Sequence, residues 1–185
     1  MISQRAKTGF ENLLHQCLHA SLQTEVHKVW QMQAVLDDIN TQHFIMLTVS
    51  SYDFRMMVML HFSCNEASKK YIADSLKLDV AELFTDQYYD FLAEIGNNFC
   101  GTFKRELCQY FPHLGMSTPN LLACESLKYV KSWPIDHEVH IKALAEDSIE
   151  FYGSLYVSSF ADLDFDLIPH PPCEAVVETG ALELF

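Results

Sequence analysis

The sequence predicts an α/β (α+β) domain, a sheet built from hairpins with helices packed on one or both of its faces. Three observations carry that reading. Long segments repeat apolar residues at three- and four-residue steps, as amphipathic helices do. Two pairs of adjoining segments are rich in β-branched and large apolar residues and are joined by short polar turns, as hairpins are. The helix-plus-hairpin theme then occurs twice along the chain. An apolar fraction of 49% over 185 residues is enough for a core and excludes wholesale disorder.

The elements follow in order. Residues 9–31 read as a helix, with Phe10, Leu13, Leu14, Cys17, Leu18, Leu22, Val26, Val29 and Trp30 on one stripe and Thr8 as its N-cap. Residues 43–50 and 54–62 read as a hairpin turned by Ser50 to Asp53. Its long apolar run calls for cover on at least one face. Ser63 to Leu76 reads as a second helix, capped by Asn65 or Ser63, with Ala67, Tyr71, Ile72 and Leu76 inward. A polar connector, Lys77 to Asp86, leads to the longest periodic segment, residues 87–110, which Pro112 ends. Residues 120–124 and 126–130 read as short strand or turn pieces. His137 to Ala145 and Ile149 to Phe160 form the second hairpin, with Glu146-Asp147 as its turn.

Two regions follow from composition, a folded domain over residues 1–160 and an acidic, Pro-containing tail over 161–185. The net charge is −13, and the tail holds six acids and no Lys or Arg. A chain this acidic is a poor partner for nucleic acid, where phosphate contacts need clustered bases, and anionic membranes are disfavoured for the same reason. No apolar run approaches the roughly 20 residues that span a bilayer, and the first residues, MISQRAKTGF, lack the apolar core of a secretory signal. The six cysteines form no C-x-x-C pair and fit reduced thiols in a cytoplasmic protein.

The segment 87–110 carries the chemistry. On a helical wheel Tyr88, Ile95, Phe99, Phe103, Leu107 and Tyr110 fall within about 60° of Leu92, a buried stripe. Asp90, Glu94, Asn97, Gly101 and Lys104 gather on the opposite side. Asn97 and Gly101 are poor helix formers, and Gly costs about 1 kcal/mol relative to Ala in a helix interior. A solvated face with two poor choices accounts for the pattern. So does a face that another surface approaches closely.

Asp90-x-x-x-Glu94-x-x-Asn97-x-x-x-Gly101, followed by Ser117-Thr118-Pro119, resembles the signature of the CheC/CheX/FliY family of chemotaxis phosphatases, and most of all CheX. Met46 to Ile72 is similar to that family's first hairpin and following helix, and His137 to Ser158 to its second hairpin. The resemblance covers roughly residues 10–160. It implies the CheC-like fold, a mostly antiparallel sheet flanked by helices in which two duplicated halves share one sheet. It also implies one site per chain, because Glu11-Asn12 and Glu25 with Lys28 lack the required spacing.

The activity implied is hydrolysis of the aspartyl phosphate on a CheY-type response-regulator receiver domain, in two-component signalling. Asn97 would hold the attacking water and Glu94 would pair with a partner Lys, as the catalytic residues. Asp90, Gly101, Lys104 and Pro119 would form the docking surface. The chain would need no cofactor of its own, because the Mg²⁺ would sit in the partner receiver domain. A homodimer is implied as well. The rival reading is a non-catalytic binding or adapter protein on the same fold. A zinc site at His15 and His19, four apart on a helix, is disfavoured, because Gln16 stands where a zinc protease needs Glu and no third ligand is near. His137 and His140, three apart on a strand, should face opposite sides.

Overall fold

The computed structural model describes residues 1–23, 28–35, 39–130, 132–145 and 149–167. The first helix, α1, runs Gln4–Ser21. Its cap is Ser3 and not Thr8: Ser3 Oγ accepts a hydrogen bond from the Ala6 amide at 3.1 Å. The helix also stops earlier than the periodicity suggested. Trp30–Ala34 is a strand, β1, with Trp30 buried and its Nε1 donating to the Leu22 carbonyl at 3.1 Å. Val26 falls outside the described residues, while Val29 is exposed.

The hairpin of β2 (His43–Ser50) and β3 (Phe54–Phe62) is as expected. Ser51 fixes its turn, its Oγ accepting from the amides of Asp53 and Phe54 at 3.0 and 3.3 Å. Helix α2 (Glu66–Leu76) opens on a capping box in which Asn65 Oδ1 accepts from the Ser68 amide and Ser68 Oγ from the Asn65 amide. Helix α3 spans Thr85–Leu107, and Gln87 Oε1 accepts from the Phe84 amide ahead of its first turn. Two short strands follow, β4 (Gly115–Met116) and β5 (Asn120–Ala123). Residues 124–130 are helical, a 3-10 turn and then α4 (Leu127–Val130), so the strand reading of 126–130 is replaced by a helical one. Strands β6 (His137–Ala145) and β7 (Ile149–Ser159) form the second hairpin, and its turn lies outside the described residues.

All seven strands form one antiparallel sheet in the order β1-β6-β7-β3-β2-β4, with β5 also paired to β2. The two central strands, β3 and β7, come one from each half. The outer strands cross over: β1 of the first half pairs with β6 of the second, and β5 of the second pairs with β2 of the first. The duplicated halves therefore share one sheet.

Pleating sends alternate residues to opposite faces. One face (Ile45, Leu47, Phe54, Val58, Phe151, Leu155) packs under α1, α2 and α3 and forms the main core. The other (Phe44, Met57, Met59, Tyr156) is covered in part by Leu122, Cys124, Leu127, Val130 and Ile135. His137 lies on the helix side against Phe10, and His140 on the other side against Tyr156, as their spacing required.

The fold continues past residue 160. In Asp162-Leu163-Asp164-Phe165-Asp166-Leu167 the apolar residues alternate with acids, so one side can be buried while the other stays in water. Leu163 and Phe165 are buried, Leu167 packs against the same cluster, and the Phe165 ring lies where a side chain on Gly9 would project, at 2.8 Å. Asp164 accepts from Ser3 Oγ at 2.6 Å and pairs with Arg5 at 2.5 Å. Residues 168–185 are outside the described residues.

Candidate functional site

Helix α3 rests on β2 through Gly96. A methyl group there would come within 2.9 Å of Ile45 Cγ2, so glycine is what lets the helix sit this close to the sheet. With Leu92, Ile95, Phe99, Cys100 and Phe103 buried around Gly96, the rotation of α3 is fixed. Asp90, Glu94 and Asn97 are thereby turned away from the core, stacked over about 10 Å of helix axis at 1.5 Å per residue.

The opposing wall is the connection from β4 to β5. Ser117 holds it to the sheet edge through two hydrogen bonds to Thr48 and braces the loop with a third. Its amide donates to the Thr48 carbonyl at 3.0 Å, its Oγ accepts from the Thr48 amide at 3.0 Å, and the same Oγ donates to the Thr118 carbonyl at 3.0 Å. Between helix and wall lies an open groove of about 470 Å³ lined by Asp90, Ala93, Glu94, Asn97, Met116, Ser117, Thr118 and Pro119.

The structure thus brings together four of the six sequence-selected residues: Asp90, Glu94, Asn97 and Pro119. Gly101 and Lys104 lie further along α3 and do not line the groove. The space over Gly101 is open, and a Cβ there would meet nothing within 4 Å. Five contributors were not selected as site residues from the sequence: Ala93, Gly96, Met116, Ser117 and Thr118. Gly96, Met116 and Ser117 act through partners distant in sequence, and only the Ser117-Thr118-Pro119 string drew attention to that loop.

The groove carries two carboxylates and no cationic side chain among its lining residues. Asp90 and Glu94 are exposed and Asn97 is half-buried. No thiol or imidazole lines it, so it offers no nucleophile of those kinds. What it offers is two acceptors for a cation and a carboxamide with one donor and one acceptor side. Among the described residues no cluster of three or more His, Cys, Asp or Glu is placed to hold a metal ion. None of the described helices is long and apolar enough to cross a membrane. The most buried cysteines are chemically quiet, because burial pushes the Cys17 and Cys100 thiols up to about 12.

No family model and no curated protein matches the chain in sequence. Solved structures do match it in shape. The chemotaxis protein CheX from Vibrio vulnificus superposes with a TM-score of 0.63, at 14% identity, over 84% of this chain and 99% of that one. A chain of the CheX-CheY-BeF3-Mg²⁺ complex from Borrelia burgdorferi gives 0.60 at 12% identity, over 82% and 97%. A chemotactic CheC-like protein from Shewanella oneidensis gives 0.59 at 13% identity, over 82% and 99%.

The chain has the CheC-like fold. Within that fold the groove lies between the long helix of the second half and the short strands that cross to the first. The shared sheet explains why: β5 must reach β2, and the connection leading to it passes in front of α3. The CheC-like scaffold so places one rigid helix face beside one anchored loop.

Proposed function

We propose that this protein is a CheX-like phosphatase that hydrolyses the aspartyl phosphate of a CheY-type receiver domain. The observation that carries the reading is that Glu94 and Asn97, one helical turn apart, face the same open groove, walled by the anchored Ser117–Pro119 loop. An acyl phosphate is intrinsically labile, and a catalyst has mainly to place a water in line with phosphorus. The Asn97 carboxamide suits that task without changing charge. Water adds to phosphorus, the P–O bond to the acyl group breaks, and the aspartate leaves as a carboxylate with inorganic phosphate as the second product.

Glu94 pairs with a lysine of the receiver beside the phosphoryl group. Asp90 extends that acidic contact, and the Mg²⁺ belongs to the receiver. No Lys or Arg is among the described lining residues, so the acidic groove suits a partner that brings a cationic side chain to it. Gly101 and Lys104 continue the docking face. Gly101 is costly in a helix interior and no neighbour among the described residues requires it, so the requirement is assigned to the partner's close approach. Pro119 stiffens the far wall. The same reading carries a homodimer built on a sheet edge, where β1 and β5 have no outer strand neighbour among the described residues.

The test is the decay of a phosphorylated CheY-type receiver in the presence of this protein. Acceleration supports the phosphatase reading. Tight binding with unchanged decay supports the adapter reading, and no binding removes both. Light scattering that gives a monomer at micromolar concentration removes the dimer.

A further inference from the structure

A second concavity lies on the face of the sheet away from the long helices, where pleating puts Arg55 and Ser158 side by side across β3 and β7. It has about 380 Å³ and is lined by Arg55, Ser132, Trp133, Pro134, Ser158 and Phe160. The Arg55 guanidinium stands 5.3 Å from the centre of the Trp133 ring. Trp133 is 41% exposed and Phe160 is 60% exposed. Two further exposed rings adjoin them. Tyr52 precedes Asp53, whose carbonyl accepts from the Phe160 amide at 2.7 Å. Tyr129 has Lys128 Nζ 5.0 Å from its ring centre, and its carbonyl accepts from Ser132 Oγ at 2.6 Å. A chain of net charge −13 thus sets four rings in water beside two cations, and among the described residues neither cation makes an ion pair. Asp136 is held by Ser159 instead, its Oδ2 accepting from the amide at 2.7 Å and from Oγ at 2.8 Å.

Aromatic residues and Arg are what protein interfaces concentrate at their centres. A small ligand needs most of its surface enclosed, and rings this exposed do not enclose one. An extended segment needs only a strip to lie along, and aromatic strips accept proline-rich chains. Charge narrows the choice further, because a guanidinium without an internal partner offers its N–H fork to a carboxylate. We propose that this strip docks an extended acidic segment of a partner protein, with Asp or Glu on Arg55 and a proline or aromatic residue beside it on Trp133 and Phe160. The strip and the groove on α3 then sort partners by charge: Asp90 and Glu94 call for a cation, Arg55 and Lys128 for an anion. Arg55 faces away from the long helices, so a protein tethered at the strip keeps its groove open.

The experiment selects a phage-displayed library of random dodecapeptides on the immobilised full chain and measures the enriched sequences, as labelled synthetic peptides, by fluorescence polarisation. The expected consensus has Asp or Glu next to Pro or an aromatic residue. Binding should shift the Trp133 emission to shorter wavelength, since Trp30 is already buried and does not respond. Arg55→Glu and Trp133→Ala should each raise Kd about tenfold or more, with folding checked by circular dichroism. Should Trp133→Ala fail to fold, Arg55→Glu alone decides. A basic consensus, binding that survives Arg55→Glu, or no enrichment on the folded protein overturns the proposal. So does a dimer that Arg55→Glu dissociates in light scattering, which would assign the strip to a second copy of this chain.

Discussion

Helices α1 and α3 occupy equivalent places in the two halves, and it is α3 whose outer face lines the groove. Their buried positions correspond at a constant offset: Ala6 with Tyr88, Phe10 with Leu92, Leu13 with Ile95, Leu14 with Gly96, Cys17 with Phe99, Leu18 with Cys100. The same offset sets Thr8 against Asp90, Asn12 against Glu94, His15 against Asn97 and His19 against Gly101. The inner faces answer to one requirement, which is to fill the space above the shared sheet. The outer faces answer to none in common. On α1 the carboxylate has become a carboxamide, the carboxamide an imidazole, and the bare position another imidazole. Packing therefore preserves the scaffold while leaving the chemistry of each helix free to differ.

The largest test of that contrast is catalytic. Asn97→Ala should slow receiver dephosphorylation by about 100-fold or more, the scale on which misplacing a reacting group is felt. His15→Ala, its counterpart on α1, should leave the rate unchanged, and a matching loss there would dissolve the asymmetry. Glu94→Ala should act mainly through binding.

The next test addresses the seam where the halves meet. On β3, His61 is fully buried, with Nε2 2.8 Å from Ser154 Oγ of β7, and Ser154 Oγ lies 2.8 Å from His140 Nδ1. Burial, with His140 nearby adding to it, pushes His61 down to about 3. The unfolded chain, with His near 6.5, binds this proton first, so stability is full above about pH 6.5 and falls as pH drops toward 3. The slope from one such group is about 1.4 kcal/mol per pH unit. Denaturant titrations across that window should show the decline, and His61→Gln should make it shallower.

A smaller effect separates the two helices at the position where α3 has Gly96 and α1 has Leu14. Gly96→Ala should destabilise the fold by about 1–3 kcal/mol, the usual cost of overpacking, because Ile45 must give way. Urea unfolding measures it, and the shift of α3 should lower activity too. Smallest, and opposite in sign, is Gly101→Ala. It should stabilise the protein by up to about 1 kcal/mol, since a Cβ there meets nothing, while weakening receiver binding. A variant both more stable and equally tight in binding would remove the docking role of Gly101.

Much of this was legible in the sequence, and the exceptions share a cause. The stripe from Tyr88 to Leu107 and the opposed Asp90, Glu94 and Asn97 follow from the helical period alone. Both hairpins follow from composition and turns. Strand β1 did not, because Val26, Val29 and Trp30 extend the three-and-four spacing of α1 and no Gly or Pro marks the break. What makes Trp30 a strand residue is its place opposite Ala145, a contact no local window contains. Gly96 and the anchoring role of Ser117 were missed for the same reason, as their partners are Ile45 and Thr48. The alternation of residues 162–167 was visible, but the groove between α1 and Phe111 that receives it was not.

The crossed strands also set a clock for folding. Strand β1 is made early in synthesis, but its partner β6 lies roughly 110 residues later, since Trp30 meets Ala145. Pairings this remote in sequence belong to the slow regime of milliseconds to seconds, because loop closure must be met before the contact gives any return. Until β6 and β7 emerge from the ribosome, β1 waits without its partner and β3 without its neighbour β7, while β4 and β5 are already available to β2. A chain cut between the halves should yield two fragments that mature only together.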